Sequence, residues 1–189
     1  MDICVINLNK AFGSHVVFKD KSMVFADGNR TVVMGDSGCG KTTLLRILMG
    51  LEPFDSGEVT GVPERISAVF QEDRLFEEFS VESNIAFAAE KGITKETMLR
   101  HIAEIGLLEN AYQSINELSG GMKRRVAIVR ALLAKKELLL LDEPLKGLDE
   151  QNRDRVASYI KRHSEGVTTI LVTHDADEVP LMDAELVLL

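Results

Sequence analysis

Apolar residues fall into several short continuous runs along the chain, and polar or turn-forming residues bound each run. Clear examples are residues 31–34, residues 138–141, which are four leucines, and residues 169–173. Runs of this length and composition are typical of buried strands in a parallel sheet. Segments with apolar residues at helical spacing lie between them, so the pattern predicts an α/β fold.

The first residues of the chain follow a different pattern, in which apolar and polar side chains alternate. Turn signals interrupt the alternation at Gly13-Ser14 and at Asp27-Gly28-Asn29. Alternation broken by such turns predicts an antiparallel sheet over residues 2–34. The parallel core is then expected to use residues 30–76 and 136–189.

The strand pattern is lost over residues 77–135, where apolar residues recur at helical spacing. The clearest helix is bounded by Thr94 and Gly106, and its shared apolar face consists of Met98, Leu99, Ile102 and Ile105. These boundary residues are common signals for the start and the end of a helix. We therefore expect a helical subdomain here, inserted between residues 1–76 and 136–189, which form a β subdomain and the parallel core.

Composition places these elements in one domain and narrows the classes of partner. The chain has 189 residues, of which 45% are hydrophobic, enough to bury a substantial core over residues 1–189. Its 22 basic and 30 acidic residues give a formal charge of −8, so no nucleic-acid partner is expected. Because no apolar run approaches the ~20 residues that cross a bilayer and no secretory signal begins the chain, we expect it to stay inside the cell.

A phosphate-binding loop is predicted where a short strand meets a helix. The matching residues are Gly35, Asp36, Ser37, Gly38, Cys39, Gly40, Lys41 and Thr42, and Thr43 follows them. Glycines let consecutive backbone N–H groups turn toward a phosphate, and the helix N-terminus adds its positive end. Lys41 is then expected to reach the β- and γ-phosphates, and Thr42 to coordinate Mg²⁺. The alternative, an ordinary glycine-rich turn, is disfavoured by the strand and the helix on either side.

A pair of carboxylates follows the four leucines of residues 138–141. Asp142 and Glu143 stand at the carboxyl end of this predicted strand, which is where open parallel sheets bind ligands. Asp142 is expected to bind the Mg²⁺ ion through its hydration shell, and Glu143 to orient and deprotonate an attacking water. The alternative is a solvated turn that happens to contain two acids.

The segment Leu118-Ser119-Gly120-Gly121-Met122 resembles the signature sequence of the ATP-binding cassette (ABC) family, and it lies between the phosphate loop and the acidic strand as in that family. The resemblance implies that Ser119, Gly120 and Gly121 bind the γ-phosphate of ATP held by a partner subunit. If the resemblance is set aside, the alternatives are that Ser119 is only a helix cap and that the basic cluster Lys123-Arg124-Arg125 is a solvated face. Met122 departs from the family, which most often has glutamine there.

Further matches extend the resemblance over nearly the whole chain. Gln71 matches the glutamine that contacts Mg²⁺, and Asp149 matches the loop that crosses the dimer interface, although Lys146 replaces a small residue there. His174 matches the histidine that contacts the γ-phosphate, which makes it catalytic beside Lys41 and Glu143. Phe12 stands where the family stacks a ring on adenine. A structural histidine and a core-filling phenylalanine remain the alternatives.

The resemblance implies a P-loop NTPase fold and an ATP-hydrolysing motor subunit that uses ATP and Mg²⁺. Its expected partners are a second ATP-binding subunit and membrane permease subunits, which place it in the cytoplasm on the inner face of the membrane. The apolar surface expected to contact the permease consists of Leu75, Phe76, Phe79 and Val81. The segment from Phe70 to Leu75 resembles importers of the nitrate, sulfonate and taurine type, but export stays open. The alternative function is a soluble, non-transport ABC ATPase that acts as an ATP-driven dimerisation switch.

Overall fold

The computed structural model describes residues 1–189 and contains eight strands. In chain order they are β1 (Ile3–Phe12), β2 (His15–Phe25), β3 (Arg30–Met34), β4 (Ser56–Thr60), β5 (Ile66–Val69), β6 (Leu138–Asp142), β7 (Thr168–Thr173) and β8 (Glu185–Leu188). Five of them form one parallel sheet in the order β5-β6-β7-β3-β8. The predicted α/β class with a parallel core is therefore confirmed.

The other three strands form the antiparallel sheet, in the order β2-β1-β4. The predicted hairpin turn is present at Gly13-Ser14, between β1 and β2. β3 belongs to the parallel sheet, as expected for residues 30–76, but β4 differs from the prediction because it belongs to the antiparallel sheet. The strand β4 contains a single apolar side chain, the half-buried Val59, so its sequence carries little sign of which sheet it joins.

Six α-helices complete the fold. They are α1 (Lys41–Leu48), α2 (Val81–Ala86), α3 (Lys95–Glu104), α4 (Gly120–Leu133), α5 (Glu150–His163) and α6 (Glu178–Met182). Residues 77–135 hold α2, α3 and α4 and none of the eight strands, as the helical pattern predicted. Thr94 caps α3 by accepting a hydrogen bond from the N–H of Thr97 at 3.2 Å, and the chain leaves the helix at Gly106, where φ is 73°.

The four leucines of β6 join the two hydrophobic cores of the molecule. Leu139 and Leu141 pack in the larger core with α4 and α5, whereas Leu138 and Leu140 pack with β1, β2 and α1. Because side chains alternate along a strand, a strand covered on both faces must be apolar throughout. This double burial holds the carboxyl end of β6 in place, and the acidic pair begins there.

No helix of the chain is both long enough and apolar enough to span a membrane.

Candidate active site

The loop of residues 35–40 connects β3 to α1 and rests against the antiparallel sheet. Gly40 adopts a φ of 105°, in the left-handed region that favours glycine. A Cβ atom at Gly40 would lie 2.4 Å from Val17 Cγ1 and 2.7 Å from Phe18 Cε1, both on β2. Only glycine therefore fits where the loop turns into the helix. No side chain caps the start of α1, so its first N–H groups stay available to an anion.

The ammonium of Lys41 lies across this loop. Its Nζ donates to the carbonyl oxygens of Gly35 at 2.6 Å and Asp36 at 3.0 Å, and lies 3.9 Å from Cys39 Sγ. The side chain thus folds back over the backbone that would surround a phosphate. Lys41 also lines the cavity beside this loop, and its contact with phosphate stays a prediction.

The phosphate loop meets the acidic strand through Thr42 and Asp142. The Thr42 hydroxyl donates to Asp142 Oδ2 at 2.8 Å. Asp142 is only 3% exposed, and this burial raises the pKa of its carboxyl group, while the hydrogen bond from Thr42 opposes that rise. Two hard oxygen atoms therefore lie side by side, which is the donor chemistry that Mg²⁺ prefers. The residues present fit the predicted magnesium site.

Glu143 leaves the sheet with an unusual backbone conformation. Its φ is 47°, which is rare for a residue other than glycine, and its N–H donates to Val172 O at 2.9 Å. The carboxylate is held by two partners: Oε1 lies 3.0 Å from His174 Nδ1, and Oε2 pairs with the ammonium of Lys146. Partial burial raises the pKa of Glu143, but the hydrogen bonds from Lys146 and His174 outweigh it and leave the pKa below its usual value.

One open cavity of about 470 Å³ brings most of these groups together. The predicted site residues that line it are Ser37, Gly38, Gly40, Lys41, Thr42, Thr43, Gln71, Asp142, Glu143 and His174. Lys146 also lines the cavity, although its sequence position suggested only a departure from the family pattern. Because no hydrophobic residue lines this cavity, it is suited to a highly charged ligand such as a polyphosphate.

The remaining loop residues Gly35, Asp36 and Cys39 do not line the cavity wall. Gly35 nevertheless needs to be small, because a Cβ atom there would lie 2.6 Å from Cys39 Sγ. Asp36 is exposed. Their nucleotide-binding roles stay predictions.

Ser119, Gly120 and Gly121 lie outside the cavity. Ser119 is exposed and caps α4, because its hydroxyl accepts a hydrogen bond from the N–H of Met122 at 3.3 Å. A Cβ atom at Gly120 would meet no atom within 4 Å, so this helix start faces open space. The interpretation of Ser119 as a helix cap is therefore confirmed. The cap occupies the N–H of Met122 and leaves those of Gly120 and Gly121 free for a ligand that comes from outside the chain.

The basic cluster beside this helix start is not a solvated face. Arg124 and Arg125 are both buried. The guanidinium of Arg124 donates to the carbonyl oxygens of Phe70 at 2.6 Å and Gln71 at 2.5 Å, and it pairs with Asp73 at 3.2 Å. The alternative proposed from charge alone is therefore wrong for these two arginines. Arg124 anchors the segment that carries Gln71 to α4, a role that the sequence analysis missed.

Phe12 and Asp149 also lie outside the cavity. The ring of Phe12 is 48% exposed, with Lys10 Nζ 4.4 Å from its centroid, so the core-filling alternative is wrong. Asp149 caps α5 by accepting a hydrogen bond from the N–H of Asn152 at 2.9 Å. Their roles toward adenine and toward a second subunit stay predictions.

An exposed aromatic cluster lies on the helical region. It consists of Phe76, Phe79 and Phe87, whose ring centroids are 5.3 to 5.9 Å apart and whose exposed fractions are 53%, 46% and 63%. Val81, predicted to belong to this surface, is fully buried, and Leu75 packs partly against the core. The prediction was wrong for Val81, because it begins α2 with its side chain directed inward.

Comparison with known proteins agrees with this geometry. The family model described as "ABC transporter" matches residues 18–146. An aliphatic sulfonates import ATP-binding protein of Pseudomonas syringae pv. tomato is 40% identical over 173 residues, which cover 89% of this chain and 74% of that protein. One of the same description from Frankia alni is 41% identical over 191 residues, covering 98% of this chain and 76% of that protein. A sulfate/thiosulfate import ATP-binding protein of Mannheimia succiniciproducens is 39% identical over 201 residues, covering 94% of this chain and 56% of that protein.

Proposed function

Because this chain belongs to the ABC transporter family, whose ATP-binding subunits hydrolyse ATP, we propose that it is the motor subunit of an ABC importer. The observation that carries the proposal is the 2.8 Å contact between Thr42 and Asp142. It joins the phosphate loop to the acidic strand, and Glu143 and His174 line the same cavity. These are the parts that phosphoryl transfer to water requires.

ATP and Mg²⁺ are the ligands of the proposed site. The glycine-rich loop and Lys41 would hold the phosphates, while Thr42, Asp142 and Gln71 supply oxygen donors for the metal ion. When bound there, Mg²⁺ supplies positive charge that offsets the charge of the phosphates. Phe12, exposed at the end of β1, offers a ring face for adenine.

Glu143 acts on the attacking water. Its carboxylate lines the cavity in contact with His174 and Lys146, and its low pKa keeps it ionised at neutral pH. An ionised carboxylate accepts a hydrogen bond from water and takes its proton as the new bond to the γ-phosphorus forms and the bond to the leaving ADP oxygen breaks. His174 positions Glu143 through Nδ1 and is exposed on the cavity side, where it can contact the γ-phosphate.

A second subunit completes the site. Ser119 and Gly120 are exposed and outside their own cavity, so the phosphate they bind belongs to a nucleotide on another chain. Two copies, or this chain and a close relative, would enclose two ATP molecules between them. Binding would close the pair and hydrolysis would reopen it. Asp149 would contact the partner across this interface.

The membrane partner is a permease that docks on the aromatic cluster of Phe76, Phe79 and Phe87. Three adjacent exposed rings are unusual on a free surface and common at interfaces. The cluster follows the Gln71 segment in sequence, and Arg124 and Arg130 tie that segment to α4. The chain would therefore lie in the cytoplasm against the inner face of the membrane. The named relatives import different solutes, which supports a choice of substrate made by other subunits.

Purification from membranes distinguishes a transporter subunit from a soluble dimerisation switch. The tagged chain should bring down a polytopic membrane protein and hydrolyse ATP in the presence of Mg²⁺. Replacing Phe76, Phe79 and Phe87 with serine should release the membrane protein but leave basal hydrolysis near normal, because these rings are outside the cavity. A matched replacement of the exposed Tyr112 should change neither. Recovery of soluble partners alone would favour the dimerisation switch.

A further inference from the structure

Three side chains that can ligate a metal ion meet between α3 and α5, away from the ATP cavity. His101 and Glu104 lie one turn apart on α3, and His163 is the last residue of α5. The potential ligand atoms of all three lie within 4.8 Å of one another. They form the only group of three or more His, Cys, Asp or Glu side chains in the chain that meets so closely. None of them lines the ATP cavity.

The carboxylate of Glu104 divides its two oxygens between different partners. Oε2 lies 2.9 Å from His163 Nε2, and Oε1 accepts a hydrogen bond from the guanidinium of Arg162. The side chains of Glu104 and His163 are half-buried, with 28% and 25% of their surface exposed. Oε2 is therefore directed at the centre of the group, while Arg162 holds the other oxygen as an outer partner. Metal-ligating carboxylates are commonly oriented in this way.

His101 is oriented by a tyrosine. Its Nδ1 lies 2.9 Å from the hydroxyl of Tyr159, which is 1% exposed and cannot turn away to water. When Nδ1–H donates to that oxygen, the lone pair resides on Nε2. Metal-binding histidines usually donate their other ring N–H to a partner in this way. The ring centroids of His101 and His163 are 4.6 Å apart, so both imidazoles face one small space.

The surroundings of both imidazoles disfavour their charged form. Burial lowers the pKa of His101, and the neighbouring His163 and Arg100 lower it further. Burial also lowers the pKa of His163, with Arg162 as the next cause. Neutral imidazole is the form that binds metals, so burial of both rings favours the binding form. The charge of Arg162 opposes a cation, but its side chain is mostly exposed and paired with Glu104.

We propose that His101, Glu104 and His163 form a site for a divalent transition metal ion, with Zn²⁺ as the best match and water as its fourth ligand. Two imidazoles and one carboxylate are a common three-residue zinc set. Tetrahedral bonds of about 2.0–2.1 Å place ligand atoms roughly 3.3 Å apart. The contact of 2.9 Å and the limit of 4.8 Å bracket that value, so side-chain rotations alone reach it.

Such an ion would connect two parts of the fold. His101 and Glu104 belong to the helical region of residues 77–135, and His163 belongs to a helix of the parallel core. Glu104 and His163 are 59 residues apart in the chain, which makes the site a long-range link. Binding would therefore stabilise the packing of α3 against α5 without touching the nucleotide.

Cobalt is the probe for this site, because tetrahedral Co²⁺ absorbs visible light and replaces Zn²⁺. The full chain is titrated with Co²⁺ in excess Mg²⁺, which occupies the hard oxygen ligands of the ATP cavity. One tetrahedral Co²⁺ per chain is expected, displaced by Zn²⁺. Glu104→Gln and His163→Ala should each weaken binding by about tenfold or more. His15→Ala, which removes an exposed histidine on β2, should leave it unchanged.

Thermal unfolding gives an independent measurement. Zn²⁺ at about a hundred times its Kd should raise the Tm of the native chain by roughly 5 °C or more, and the same concentration should raise the Tm of Glu104→Gln by about half as much or less. Glu104→Gln keeps the shape of the side chain and a hydrogen bond for Arg162, so the variant is expected to fold. The absence of a tetrahedral Co²⁺ spectrum in the native chain, or equal binding by all variants, would overturn the site.

Discussion

Lys146 and Glu143 form an ion pair three residues apart on the loop that follows β6, and both side chains line the cavity beside the phosphate loop. The ammonium approaches Oε2 of Glu143 while His174 holds Oε1. Because the pair stabilises the charged carboxylate, it lowers the pKa of Glu143 and weakens it as a base. The resemblance to the ABC family implies a small residue at position 146, where no such contact is available.

Lys146→Ser should therefore make Glu143 a stronger base. We expect the kcat of ATP hydrolysis at neutral pH to rise several-fold, within the range of general-base effects. Because the variant raises the pKa of Glu143, the acid side of its pH–rate profile should also fall off at a higher pH than in the native chain. Lys135→Ser, which removes an exposed lysine paired with Glu90, is the matched control. A profile that superimposes on the native one would contradict this role of Lys146.

Glu143→Gln tests the base itself. Glutamine keeps the shape and the contact with His174 but accepts no proton, so turnover should fall by about 10²–10⁴-fold while ATP still binds. ATP should then hold two copies together, and the variant should accumulate as a dimer in Mg-ATP. Lys41→Ala should instead bind ATP poorly, because it loses the phosphate contact, and should stay monomeric. Size-exclusion chromatography separates the two outcomes, and a Glu143→Gln protein with normal turnover would remove Glu143 from the mechanism.

Ser119→Arg tests whether the site is shared between subunits. Ser119 is exposed at the start of α4, so a large side chain is expected to leave the fold intact. Hydrolysis should be lost, because arginine blocks the approach of a second nucleotide, while ATP binding by the monomer stays near normal. Ser119→Thr keeps the helix cap and should retain most activity. Native turnover by Ser119→Arg would exclude the shared site.

The buried carboxyl group of Glu178 should make the stability of the chain depend on pH. It is buried on α6, its Oε2 has no hydrogen-bond partner, and burial raises its pKa from 4.5 to about 7. Between these two values the folded chain holds a proton that the unfolded chain releases, so this group lowers the free energy of unfolding as pH rises from 4.5 to 7. Glu178→Gln should therefore be more stable than the native chain at pH 8, by roughly 3 kcal/mol at most.

Urea unfolding at pH 5 and pH 8 measures this difference. The variant and the native chain should have similar unfolding free energies at pH 5, where the native Glu178 is largely protonated when folded. At pH 8 the unfolding free energy of the variant should exceed that of the native chain. An equal gap at both pH values would mean that packing, and not ionisation, distinguishes the two proteins.

The sequence by itself determined the phosphate loop and the acidic strand. The loop is one contiguous segment, so its glycines, Lys41 and Thr42 define its chemistry wherever the fold places it. Four consecutive leucines before Asp142 are explained by burial on both faces of β6. Thr94 and Gly106 set the limits of α3 for the same reason, since caps act on the backbone beside them. These features were predictable because each depends on residues that are adjacent in the chain.

Only the tertiary structure decided which distant side chains meet. Periodicity tells which face of an element is apolar but does not name the neighbour that covers it, so the burial of Val81 and Arg124 was missed. Position 146 differed from the family pattern, but its contact with Glu143 depends on the left-handed turn at Glu143. The meeting of His101 with His163 depends on how α3 packs on α5. Such contacts arise when separate elements pack together, and their partners lie too far apart in the chain for spacing to reveal them.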